Sequence, residues 1–367
     1  MENEFLTRRQ AICFLIIFVL GSTIVFGVTG ELEQDAWIAV IGGVLIALVF
    51  SLVYARIMKI YPEKSLFGIL EEVFGKILGK VLTVIFTWYA IHLGAAIMRT
   101  FTDYVSSTAL PTTPPIVIMI VMLAVVLYLA KSGTETFGKW CVAAIMIIIP
   151  VFISVTLFSL KGMNFANLLP VFSHGLGKTL SVSYTQFSLP FGEIVLFLAA
   201  AGTVRKEDSP YRIYIYSILL VGLIALIVNL RNLAVLGPEL VKESYYPSFT
   251  TAKIVNIGEF LARIESLISM NFMLAGLTKI CFCVIAASMG TASLFNVKKY
   301  NVFMAPTTFT IIALSLNLYK NQMQLFEFVK EYQFYVIPFQ IILPLIIWIA
   351  AEIKSRIKRI DQDKESA

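Results

Sequence analysis

The chain has 367 residues, of which 58% are hydrophobic and only 14% charged, with a net charge of +6 and a mean hydropathy of +0.84. Soluble domains carry about a quarter charged residues, so the composition excludes an ordinary water-exposed surface and predicts a single polytopic membrane domain over 1–367. All four cysteines, Cys13, Cys141, Cys281 and Cys283, lie inside apolar runs, which excludes a disulfide framework or a zinc site built from loop pairs.

A helix needs about 20 mostly apolar residues to cross the hydrocarbon. The run after Met1–Gln10 is long enough for a retained first helix rather than a cleaved leader. On that ruler the predicted spans are Gln10–Gly30, Ala36–Ile57, Val81–Phe101, Ile116–Ala130 and Trp140–Leu160, then Tyr184–Val204, Tyr214–Leu236, Arg263–Met289, Val302–Leu318 and Phe334–Ala351. The runs are continuously apolar rather than alternating, so the expected fold class is an all-α integral membrane protein of about ten spans, not a barrel. The first repeat covers about 10–160, the second about 184–352, and 353–367 form a tail.

With the N-terminus inside, the cytoplasmic segments hold roughly nineteen Lys and Arg, including Lys354–Arg359, against six on the other side. That bias predicts cytoplasmic termini and accounts for the positive charge without nucleic acid, with anionic lipid as a partner for the tail. Ser65–Leu78 places Leu66, Ile69, Leu70, Val73 and Ile77 on one face, which reads as a helix on the inner membrane surface. Lys161–Val182 and Pro238–Ala262 are the long outer segments, either vestibule caps or plain surface loops.

Two spans carry interruptions. Span one has Gly21-Ser22-Thr23 at mid-depth and then Gly27, which serve either an unwound helix or close helix packing. Span six runs Gln186-Phe187-Ser188-Leu189-Pro190-Phe191-Gly192-Glu193, where proline removes a backbone hydrogen bond. Interrupted helices at corresponding positions point to an inverted-repeat transporter with a midplane site. Half-helix termini there face an anionic group, and freed carbonyls a cationic one, so a zwitterion is the natural ligand. The expected ligand-binding residues are Gly21, Ser22, Thr23, Tyr184, Phe187, Ser188, Pro190, Phe191 and Gly192.

Charges inside spans are rare and usually functional. Glu193 either touches ligand, relays a proton or pairs structurally. Lys279 in span eight is either a fixed cation, a snorkelling side chain or the partner of Glu193. Arg99 with Asp103, and Glu259 with Arg263, are spaced to pair along their own helices. Arg231 in span seven is expected to meet Glu265 as scaffold or outer gate. The coupling or gating set is therefore Glu193, Lys279, Arg231, Arg263 and Glu265. His92 is a lone histidine on an apolar helix. No phosphate loop, histidine cluster or nucleophile motif is present, so neither an enzyme nor a cofactor or metal is expected.

Four stretches carry a resemblance: Leu6-Thr7-Arg8-Arg9-Gln10 with Gly21-Ser22-Thr23-Ile24-Val25-Phe26; Asp35-Ala36-Trp37-Ile38; Phe74-Gly75-Lys76-Ile77-Leu78-Gly79-Lys80; and Gly237 through Tyr246-Pro247-Ser248-Phe249 to Phe260-Leu261-Ala262-Arg263-Ile264-Glu265, with Lys279 beyond. In these the chain resembles the B subunits of bacterial spore germinant receptors, endospore germination permeases of the amino acid–polyamine–organocation superfamily. It departs at Phe26-Gly27-Val28, where the family pattern has a proline, and at Asn271, where an aromatic is common. The resemblance implies a five-plus-five inverted-repeat (LeuT/APC-like) fold with helices one and six broken. It also implies residence in the spore inner membrane, partnership with A and C subunits, and recognition of a nutrient germinant, often an amino acid. A proton-coupled amino-acid permease and an ion or water pathway are the competing readings, because sensing and transport share one scaffold. Phe187, Phe191, Tyr184 and Thr23 together suit a neutral amino acid.

Overall fold

A computed structural model describes residues 5–26, 30–254 and 264–365. In chain order its α-helices are α1 (Arg8–Phe26), α2 (Ala36–Ile60), α3 (Leu66–Thr108), α4 (Pro115–Lys131), α5 (Thr134–Ser159) and α6 (Gly175–Ser188). There follow α7 (Pro210–Glu243), α8 (Pro247–Ile254), α9 (Ile264–Leu294), α10 (Met304–Leu318), α11 (Gln322–Tyr335) and α12 (Leu343–Glu365). Among the described residues, eight helical segments are long and apolar enough to cross a membrane. The other two expected span positions are held by α1, of 19 residues, and α4, of 17.

Local chemistry sets the boundaries. Ser65 caps α3, its Oγ accepting from Gly68 N, and prolines occupy the first turn of α4 and α7, where a missing N–H costs nothing. Gly75, at φ 78°, turns α3 from its first limb, which holds the expected surface-helix residues from Leu66, into the membrane-crossing limb. The last span begins at Gln322 rather than Phe334 and passes through a π-turn at Pro338–Ile342. The amphipathic α11, with Glu327, Lys330 and Glu331, hid that extension from a hydropathy reading.

Burial sorts the segments into a centre and a rim. The most apolar windows of Gly175–Thr203, Glu265–Leu294 and Leu66–Thr108 are 89%, 78% and 72% buried, against 22% for Thr134–Gly162 and 33% for Glu31–Ile60. The outward faces carry side chains such as Leu45, Val49, Val121, Leu157, Leu223 and Ile349, as hydrocarbon contact requires. In the centre α3 lies along α9, and α1 packs on α5, α7 and α9. Around α1, Phe14 meets Phe18, Phe137, Phe197 and Phe282 at ring-centroid distances of 4.5–6.1 Å.

The two segments expected outside both pack onto the bundle as far as they are described. In the first, Asn167 Nδ2 donates to Ala234 O, and Asp35 at the start of α2 accepts from Phe172 N at 2.7 Å, Ser173 N at 2.6 Å and Ser173 Oγ at 2.9 Å. Asp35 is fully buried. Asp35→Leu leaves those donors unpaired, and unsatisfied buried groups cost about 1–3 kcal/mol. The variant is expected to speed backbone hydrogen exchange across 165–174; unchanged exchange there would show that the tie is not what holds the segment. In the second, Ser248 and Thr251 of α8 are buried on Asn232.

Among the described residues of span one, the expected break is not found. α1 is a continuous α-helix through Phe26, and Thr23 Oγ1 donates to Val19 O at 2.9 Å, the back-bond of an intact helix. Gly21 serves packing instead: a Cβ there would stand 3.0 Å from Ala275 O and 3.1 Å from Lys279 Cβ. Gly27 lies outside the described residues. In span six α6 stops at Ser188, Leu189 is extended (φ −137°, ψ 111°), and Phe191–Thr203 continues as 3₁₀ helix. A 3₁₀ run of that length is unusual and commonly marks a hinge or strain.

Candidate functional site

Beyond the interruption at Leu189–Pro190, Glu193 projects into the centre and meets α9 and α1. Its Oε2 pairs with Lys279 Nζ, and both side chains are wholly buried. Ser22 completes a triangle: its Oγ accepts from Lys279 Nζ at 2.5 Å and donates to Glu193 Oε2 at 3.4 Å. The Phe18 ring, one turn earlier on α1, lies 4.7 Å from Nζ, close enough for a cation–π contact. Lys279 thus reaches from α9 to α1 and to the interrupted span six.

The opposite oxygen of Glu193 leads away through uncharged groups. Tyr332 OH on α11 donates to Oε1 at 3.0 Å, and Tyr89 OH on α3 lies 3.4 Å from Tyr332 OH. Gln340 Nε2 donates to Tyr89 OH at 3.0 Å and to Ser188 O at 2.9 Å, satisfying a carbonyl at the end of α6. Tyr54 OH donates to Gln340 O at 2.6 Å. Gln340 Oε1 is buried without a hydrogen-bond partner, and it occupies the space that a side chain on Gly192 would take: a Cβ there would be 2.1 Å away. Glycine is required at that point for the last span to approach the interruption.

Among the expected ligand residues, Ser22, Ser188 and Gly192 converge on this network, and Gly21 backs Lys279. Phe187 stacks on Phe50 at 5.2 Å, its ring end lying 3.2 Å from the Gly192 Cβ position. Pro190 and the buried Phe191 form the turn. Tyr184 points elsewhere, its OH donating to Gln333 O, and Thr23 is taken up by its own helix. Of the gating residues, Glu193 and Lys279 meet one another. Arg99 pairs with Asp103 at 3.0 Å. Arg231 does not pair with Glu265 in the structure: its guanidinium bonds Asn232 Oδ1 at 3.0 and 3.3 Å, because α7 turns it toward α8. Arg263 and Glu259 lie outside the described residues.

The reading from sequence missed Phe18, Tyr54, Tyr89, Tyr332 and Gln340. Gln340 was the detectable one, a lone amide two residues after a proline in an otherwise apolar span.

By shape the chain is similar to solved structures of membrane transporters. The chain superposes on MhsT in complex with L-phenylalanine with a TM-score of 0.65 at 12% identity, covering 96% of this chain and 87% of that one. On Mhp1, a nucleobase-cation-symport-1 family transporter, the TM-score is 0.63 at 11% identity, over 94% and 78%. These likenesses define a LeuT-like helical transporter fold. In sequence, the family described as "Spore germination protein" matches residues 5–324, and the chain belongs to that family. It is 26% identical to spore germination protein KB of Bacillus subtilis (strain 168) over the full length of both chains. It is 23% identical to spore germination protein A2 of the same organism, over 88% of each.

Proposed function

We propose that this protein is the germinant-binding membrane subunit of a spore germination receptor, sensing a small solute, a neutral amino acid, in a transporter-like pocket. The observation that carries the reading is the buried Glu193–Lys279–Ser22 triangle, which ties α1, the interrupted span six and α9 together. In transporter folds these elements move relative to one another around the solute. An α-amino acid offers the same two charges as the internal pair. Its ammonium group competes for Glu193 and its carboxylate for Lys279, so binding exchanges one ion pair for two and frees the helices from each other.

A ligand shifts conformations only by its differential affinity for them. The closed triangle is the state that excludes solute, and the opened one is the state that holds it. A and C partner subunits would read that difference in the spore inner membrane, with both termini cytoplasmic. Family membership supports the receptor assignment, and MhsT, whose structure carries L-phenylalanine, supports the ligand class. The runner-up is a proton-coupled amino-acid permease. It is favoured by the hydrogen-bonded chain from Glu193 through Tyr332 to Tyr89, which suits a carboxylate that takes up and gives up a proton.

Purified protein in liposomes, screened with amino acids under an imposed pH gradient, separates the two. Saturable binding without net uptake is the expected result. Gradient-driven accumulation that disappears in Glu193→Gln would establish the permease instead. Gly21→Leu is expected to abolish the spore response while the protein remains at wild-type abundance, since a large side chain there pushes α9 away from α1. A normal response from that variant would remove this junction from the site.

A further inference from the structure

We infer that a second solute site lies beside the core, in the crevice under Arg231, and that it takes a small α-amino acid by its two charged ends. The crevice is lined by Leu20 of α1, Phe152 of α5, Val228 and Arg231 of α7, Ser248 of α8 and Asn271 of α9. It uses none of the core residues, so it stands or falls independently of the reading above.

The charge balance of the interior points here. Among the described residues, the other deeply placed cations face carboxylates, Lys279 with Glu193 and Arg99 with Asp103. Arg231 is 3% exposed, and among the described residues its hydrogen-bond partner is the neutral amide of Asn232. No carboxylate among those residues lies within 4 Å of it. A guanidinium held in an apolar membrane interior needs an anion.

The second observation lies across the crevice. Asn271 is 5% exposed; its Nδ2 donates to Ile148 O at 3.1 Å, and its Oδ1 has no partner. With Nδ2 so committed, a carbonyl oxygen is left that accepts from a donor. Ser248 Oγ accepts from Asn232 Nδ2 at 3.0 Å, which leaves the hydroxyl hydrogen to donate. The crevice therefore presents a cation and a hydroxyl on one side and a bare acceptor on the other. One molecule with a carboxylate and an ammonium group satisfies all three. The walls are aliphatic and aromatic, and the space, about 30 Å³, has room for about two water molecules, so even the smallest members of the class, glycine and alanine, enter only as Leu20 and Phe152 move aside.

Occupancy has a direct route to the core. Leu20 is two residues before Ser22 on α1, and Asn271 is two turns before Lys279 on the same face of α9. A solute wedged between them acts on both helices that hold the ion pair.

The test uses the full-length protein in nanodiscs. Its probes are glycine and L-alanine, with ethylamine and propionate as analogues that each lack one charged end. Binding is measured in the Glu193→Gln background as well as in wild type, so that core occupancy is separated from crevice occupancy. Arg231→Gln is expected to weaken L-alanine binding roughly thirtyfold in the Glu193→Gln background, where the core is out of play, and to remove only the crevice component in wild type. Asn271→Leu, which leaves the guanidinium in place, is expected to do the same, and neither analogue alone should match L-alanine. Unchanged affinity in Asn271→Leu overturns the proposal even if Arg231→Gln fails to fold. So does propionate binding as tightly as L-alanine, which would make the crevice a simple anion site. So does Glu259→Gln or Glu265→Gln destabilising the protein as much as Arg231→Gln with no further loss in the double variant, which would give the guanidinium a partner from the chain itself.

Discussion

Glu193→Gln and Lys279→Met, each alone, are expected to destabilise the protein by about 3–5 kcal/mol, because each leaves its partner's charge buried and uncompensated. The two together should recover most of that loss. A buried ion pair gains little net stability over apolar groups of similar volume, since desolvation offsets the attraction. Gln at 193 still accepts from Tyr332 OH, which now donates to Glu193 Oε1 at 3.0 Å. Met at 279 still fills the gap beside Phe18 and Gly21. Unfolding in detergent by heat or denaturant, over the full double-mutant cycle, reads the coupling directly. If the double variant is as unstable as the sum of the singles, the charges are held by other groups and the triangle is not a closed unit. If it is stable yet unresponsive to solute, the pair is there to be broken by ligand rather than to hold the fold.

The same pair shows how far the sequence could be read. Carboxylates and amines inside apolar runs stand out, so the pairing of Glu193 with Lys279 was legible as one of their possible roles, and Pro190 was legible as an interruption. What was not legible is rotation about each helix axis. Arg231 lies toward the C-terminal end of its span and Glu265 at the N-terminal end of the next long one, but α7 turns the guanidinium toward Asn232 and α8, and spacing along a chain carries no information on that angle. Gly21-Ser22-Thr23 was ambiguous for a related reason. Unwinding and close packing use the same small residues, and only the position of Ala275 against Gly21 decides for packing. Tyr89 and Tyr332 escaped because a tyrosine on an apolar helix is indistinguishable from core until its hydroxyl has a named partner. Tyr332 was doubly hidden, since the polar face of α11 placed it outside every expected span.

Gly192→Ala should be the most damaging single methyl group in the interrupted span. Its Cβ would lie 2.1 Å from Gln340 Oε1 and 2.6 Å from Gln340 Cδ, so the glutamine must move. It cannot move without releasing Ser188 O and Tyr89 OH, which its Nε2 now satisfies. Overpacking of this kind costs about 1–3 kcal/mol, and the freed Ser188 carbonyl adds a further penalty of about the same size. Gln340→Ala removes the clash but still leaves Ser188 O without its donor. The cycle therefore has a definite sign: Gly192→Ala should be markedly less harmful in the Gln340→Ala background than in wild type. Additive effects would mean that the last span already stands away from the interruption, and that Gln340 does not link it to Tyr89. A favourable coupling would place Gln340 as the wedge between the end of α6 and α3. The tyrosine chain to Glu193 would then move with whatever opens that wedge, which is how a solute binding at the centre would be felt along α11 and the last span.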